Sequence, residues 1–120
     1  MGLDVYLNQK KHVSYDDCKT FKVEIEEVFN WHITHNLGKM ADEACVYEAL
    51  WRPEELKIDT AKDLIPLLEK GLEKLKIDPS YFRSFNPTNG WGSYEGLVDC
   101  VENYLSACKQ YPNAEIEVSR

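Results

Sequence analysis

Two runs whose apolar residues recur at every second position stand at opposite ends of this chain. Leu3, Val5 and Leu7 alternate with Asp4 and Tyr6, while Ala114, Ile116 and Val118 alternate with Glu115, Glu117 and Ser119. A period of two places successive side chains on opposite faces, so each run reads as a half-buried strand. Tyr111-Pro112-Asn113 supplies a turn signal ahead of the second. Phe21 to Glu27 offers a third strand, with Phe21, Val23 and Ile25 on one face and Lys22, Glu24 and Glu26 on the other. Two-stranded sheets are marginal alone, and three strands with helices over one face are more stable. The expectation is a small antiparallel sheet of the terminal strands plus the third, packed by three to four helices.

The segments between the strands carry helical spacing. Leu37, Met40, Ala41, Ala44, Tyr47 and Trp51 recur at steps of three and four. Thr34 or Asn36 can cap this helix, and Arg52-Pro53 closes it, because the residue before proline avoids helical geometry. Leu64, Leu68, Leu72 and Leu75, widened by Ile65, form a second stripe. Its start is open: with Asp63 as cap Pro66 lies in the first turn, and with Thr60 as cap a kink is expected. Asp78-Pro79-Ser80-Tyr81-Phe82 reads as a short helix. Leu97, Val98, Val101, Leu105 and Cys108 make the cleanest amphipathic face, with Ser93 as its cap. One α+β domain over residues 1–120 follows.

At 120 residues the chain has the length of a single domain, and 14 Lys+Arg against 21 Asp+Glu leave a formal net charge of −7. That charge repels phosphate backbones and argues against nucleic-acid binding. The start Met1-Gly2-Leu3-Asp4-Val5 lacks a basic, apolar leader, and no run approaches the roughly 20 apolar residues of a membrane span. A cytoplasmic protein with no membrane association is expected. Cys18, Cys45, Cys100 and Cys108 include no C-x-x-C pair, which favours buried free thiols over disulfides or zinc.

Three places could carry chemistry. Trp31-His32-Ile33-Thr34-His35-Asn36 holds two histidines, but Ile33-Thr34 favours extended backbone and would send His32 and His35 to opposite faces. The segment reads as a helix-entry loop, with no metal expected. Phe85-Asn86-Pro87-Thr88-Asn89-Gly90-Trp91-Gly92-Ser93 leads into the last helix, whose first-turn amides are a ready anion site. Its tryptophan and carboxamides suit a nucleobase or sugar. Arg52 and Arg83 suit bidentate phosphate contact, provided they converge near the tryptophan loops. No serine sits in a nucleophile elbow and no matched carboxylate pair is evident, so no enzyme and no cofactor are expected.

Ile33-Thr34-His35-Asn36-Leu37-Gly38-Lys39-Met40-Ala41, Tyr47-Glu48-Ala49-Leu50-Trp51-Arg52-Pro53, Phe85 through Val98, and Tyr111 through Ile116 together resemble a family of small, mostly uncharacterised proteins encoded by bacteriophages and prophages. His32 stands where that pattern has asparagine. By analogy with phage proteins that oligomerise and sequester nucleotide immune signals, the resemblance implies a homo-oligomeric anti-defence sponge for a nucleotide-derived ligand, such as an ADP-ribose-type molecule. In that reading Trp31, Trp51, Trp91 and Tyr94 stack on the ligand. Arg52 and Arg83 take phosphates, and His35, Asn36, Asn86 and Asn89 bond base or ribose edges. The alternative is an acidic protein-interaction module that inhibits a host protein.

Overall fold

The computed structural model describes residues 2–14 and 21–120, with side chains for all of these except 11–14 and 21–23. The two ends of the chain do lie side by side in one sheet. β1 (Gly2–Ser14) is the middle strand, flanked by β2 (Phe21–Thr34) and β3 (Glu115–Ser119), all antiparallel. Val5 pairs with Trp31 on one side and with Val118 on the other. Leu3, Val5 and Leu7 are buried against the helices, while the residues between them look outward.

β2 runs past Glu27 to Thr34, so Trp31, His32 and Ile33 are strand residues and not a helix-entry loop. Leu7 pairs with Phe29 and Asn8 with Glu27, which makes Val28 the extra residue of a β-bulge. Beyond a one-residue offset every side chain changes face. Phe29, Trp31 and Ile33 therefore share the helix side with Leu7, Val5 and Leu3, whereas Ile25 pairs with Lys10 on the other side and is 72% exposed. This corrects the expectation of a half-buried Ile25. The expected faces of Phe21, Lys22 and Val23 lie outside the described side chains.

The single helix expected over 37–51 is three pieces: a 3₁₀ turn at His35–Leu37, α1 (Gly38–Glu43) and α2 (Tyr47–Trp51). Thr34 caps the first, its Oγ1 accepting from the Asn36 amide at 3.3 Å. The break falls at Cys45, which adopts the left-handed conformation with φ of 62°. There the Cys45 amide donates to the Asp42 carbonyl at 3.0 Å and the Val46 amide to the Ala41 carbonyl at 2.9 Å, a hydrogen-bond pair that stops a helix. Arg52 ends α2 and Pro53 opens a second 3₁₀ turn, as the proline requires.

α3 (Ala61–Ile77) starts after Thr60 and not after Asp63, leaving Pro66 inside the helix. Thr60 contributes no side-chain cap; instead the Ala61 and Lys62 amides donate to the carbonyls of Ala114 and Pro112, each at 2.9 Å. The turn entering β3 thus completes the helix start. α4 (Pro79–Arg83) is capped by Asp78, whose Oδ1 accepts from the Tyr81 amide at 3.2 Å. α5 (Tyr94–Gln110) begins at Ser93, whose Oγ accepts from the Gly96 amide at 3.1 Å.

Leu64, Leu68 and Leu75 of α3 and Leu97, Val101 and Cys108 of α5 are fully buried, each apolar side chain contributing about 1.5–3 kcal/mol. Gly71 takes the buried position between Leu68 and Leu75, because a Cβ there would overlap Val46 Cγ1. Cys100 and Cys108 are buried thiols, but Cys45 is exposed, against expectation; Cys18 lies outside the described residues. No described helix is long and apolar enough to cross a membrane.

Candidate functional site

The loop before α5 and the end of β2 meet at Trp91. Asn89 Oδ1 accepts from the Trp91 amide at 2.9 Å, and Gly90 and Gly92 take positive φ values of 77° and 102°. At Gly92 a Cβ would come within 2.7 Å of Thr34 Cγ2 and 3.1 Å of Leu37, so only glycine lets the loop lie this close. Asn36 adds a tie, its Nδ2 donating to the Trp91 carbonyl at 3.5 Å. These contacts hold the backbone and leave the Trp91 side chain outside: the residue is 68% exposed.

Two clefts flank Trp91. One, of about 450 Å³, is mostly apolar and is lined by Trp31, Ile33, Leu37, Gly92, Gly96 and Asp99 among others. The other, of about 600 Å³, is lined by His32, Thr34, His35, Asn36, Asn89 and Trp91. His32, Thr34 and Trp91 belong to both. The sequence-derived set therefore divides. Trp31, His35, Asn36, Asn89 and Trp91 converge.

The others do not, and each has another task. Trp51 is 2% exposed and packs in the core, stacked on Tyr47 at 5.2 Å. Its Nε1–H donates to His35 Nδ1 at 2.8 Å, so it orients the histidine instead of meeting a ligand. Tyr94 is buried and its hydroxyl donates to the Leu75 carbonyl at 2.7 Å. Asn86 Oδ1 accepts from the Tyr94 amide at 2.8 Å, helping to cap α5. Arg52 pairs with Glu55 at 3.5 Å, and Arg83 pairs with Glu95 at 2.9 Å while lying 5.0 Å over the Tyr94 ring. Neither arginine lines either cleft, because each finds a carboxylate within its own neighbourhood in an acidic chain.

The anion site expected at the start of α5 is also filled from within. The Tyr94 amide donates to Asn86 and the Gly96 amide to Ser93. Glu95 bonds its own backbone amide, which, with Arg83, holds its carboxyl below the ordinary value. His32 Nδ1 lies 2.9 Å from Asp4 Oδ1, across the β1–β2 pair. Among the described residues no group of three His, Cys, Asp or Glu could hold a metal ion. Burial pushes the Cys100 and Cys108 thiols up to about 12.

Thr34, Leu37, Gly92, Ser93, Gly96 and Asp99 line the apolar cleft without having been singled out as ligand-facing. One signal was available: Ser93, Gly96 and Asp99 are spaced by three, which puts two small residues and a carboxylate on one helical face. Compared with family models, with curated proteins and with solved structures, the chain matches none.

Proposed function

We propose that this chain is a non-enzymatic, homo-oligomeric binding protein that captures a small nucleotide-derived ligand in the clefts around Trp91. One observation carries the reading: an exposed indole stands between an apolar recess that reaches Trp31 and a polar one lined by Asn36, Asn89 and two imidazoles. An exposed tryptophan beside a concave, mixed lining is the kind of surface on which flat heterocycles stack. The resemblance to phage-encoded proteins supports reading the capture as sequestration of a host immune signal in the cytoplasm. The phosphate-gripping part assigned to Arg52 and Arg83 is withdrawn, since both are paired elsewhere.

Calorimetric titration with cyclic and linear ADP-ribose derivatives and with cyclic dinucleotides tests the proposal. Binding by at least one, weakened roughly tenfold or more in Trp91→Ala, is expected, a loss of about 1.4 kcal/mol or more. Silence across the whole set would remove the reading. Light scattering should return a multiple of the monomer's 13.9 kDa.

The interaction-module reading keeps a separate support. Glu24, Glu26 and Glu27 are exposed on β2 together with Ile25, an apolar residue set among carboxylates. Capture of a basic host protein, abolished by reversing those three charges, would favour it over ligand binding.

A further inference from the structure

Among the described residues, the clefts around Trp91 are lined by no cation and the first-turn amides of α5 are already bonded, whereas the neutral polar side chains there each keep a donor or an acceptor beyond the bond they make. No lysine or arginine is among the residues lining either cleft, and the apolar one carries the Asp99 carboxylate. His32 is bonded to Asp4, and the first-turn amides of α5 are taken by Asn86, Glu95 and Ser93. An incoming phosphate would meet fixed negative charge with no cation to offset it.

The polar cleft presents a different inventory. An indole N–H can only donate, so the Trp51–His35 bond makes His35 Nδ1 an acceptor. The ring is then neutral, with its proton on Nε2. Trp51 thus sets His35 as a hydrogen-bond donor of known tautomer. Asn89 uses its Oδ1 on the Trp91 amide, leaving its Nδ2 hydrogens to donate. Asn36 uses Nδ2 on the Trp91 carbonyl, leaving its Oδ1 to accept. Two donors and one acceptor, all uncharged, therefore line the recess beside an exposed indole. Such a mixture of neutral donors and acceptors is what the edge of a heterocyclic base or a ribose requires.

We infer that the site recognises the uncharged nucleoside part of its ligand, stacking the base on Trp91 and reading its edge with His35, Asn36 and Asn89, and leaves any phosphates in solvent. This rests on the ligand-binding reading above and narrows it to a class: the cleft selects a nucleoside, and phosphorylation state is invisible to it.

The test is calorimetry with adenosine, guanosine, cytidine and uridine and with their monophosphates and diphosphates, at low and at high salt. For whichever base binds, the nucleoside and its phosphorylated forms should agree within about threefold, with little salt dependence, since no phosphate contact releases counterions. Asn36→Ala should weaken the nucleoside roughly tenfold, the loss of about one hydrogen bond, and Arg83→Ala should change nothing. If affinity climbs more than about tenfold with each phosphate and falls with salt, the inference is overturned while ligand binding stands. If none of these compounds binds, the inference falls; should a cyclic dinucleotide or ADP-ribose derivative still bind, the broader reading survives it.

Discussion

Residues in this chain act through the bond that each hydrogen-bonding group is left free to make. Trp51 and Trp91 are the same amino acid with opposite fates: one is buried and spends its indole N–H on His35, the other is held by its backbone and keeps its side chain exposed. Tyr104 shows the reverse economy. It is fully buried on α5, stacked on Phe29 at 5.5 Å, and its hydroxyl has no partner among the described residues. Burial pushes that phenol far above its ordinary range. A buried hydroxyl without a partner costs free energy, so Tyr104→Phe should leave stability unchanged or raise it by about 1 kcal/mol, as measured by urea denaturation. A loss of that size would mean that the hydroxyl has a bonding partner after all.

At the scale of elements, the break between α1 and α2 and the start of α5 are decided by single residues. Cys45 occupies a left-handed helix stop where glycine is the residue without steric cost. Cys45→Gly should therefore raise stability by roughly 1 kcal/mol in thermal or chemical unfolding, even though it gives up the 3.4 Å contact of Lys74 with the thiol. At the other site, Glu95 has its carboxyl lowered from the ordinary 4.5 by its own backbone amide and by Arg83. A lowered folded value means that the carboxylate adds stability above the unfolded value and loses it as pH falls through the folded one. The melting temperature should thus drop on acidification below about pH 4.5, and Glu95→Gln should flatten part of that drop. An unchanged acid profile in the variant would assign the dependence to other carboxylates, with Glu54, lowered chiefly by Arg120, the next to examine.

The molecule as a whole is longer than its residue count requires. Its Cα radius of gyration is 16.5 Å and its extents are 61 × 27 × 23 Å, against about 14 Å for a compact chain of this size. The cause is the β1–β2 pair. β3 covers β1 only from Asp4 to Asn8, and beyond that the two strands continue as a ribbon without a third. Small-angle scattering of the monomer should give a radius about 2–3 Å above the compact value. A figure near that of a compact sphere would mean that the ribbon folds back onto the body in solution. The face turned away from the helices is acidic, and Asp4 foremost, with Glu27 and Glu117, raises the Tyr6 phenol that sits among them. Glu24, Glu26 and Glu27 are not among the residues lining the Trp91 clefts, so ligand capture and protein docking can be tested separately by substitution.

Periodicity and residue type were enough to read the α+β class, the sheet that joins the terminal strands, the short helix over 78–82, the cap at Ser93 and the stop at Arg52-Pro53, and they narrowed the cap before Leu37 to Thr34 or Asn36. The caps and the stop depend on residues within a turn or two of one another, and such local preferences are written in short windows; the terminal strands pair from opposite ends of the chain and were matched by their shared period of two. The bulge at Val28 was not read, because after the interruption at Glu27-Val28 the apolar residues of β2 resume at odd positions, and only the register with β1 reveals the change of face. Nor was the helix break at Cys45, where nothing but the surrounding packing selects a left-handed cysteine. Of the ten candidate ligand contacts, the aromatic and amide residues that met at Trp91 could be named from their types. Which of them remained free to bind was settled by tertiary contacts: a donor's availability depends on whether some distant group, such as His35 for Trp51 or Glu95 for Arg83, has already claimed it.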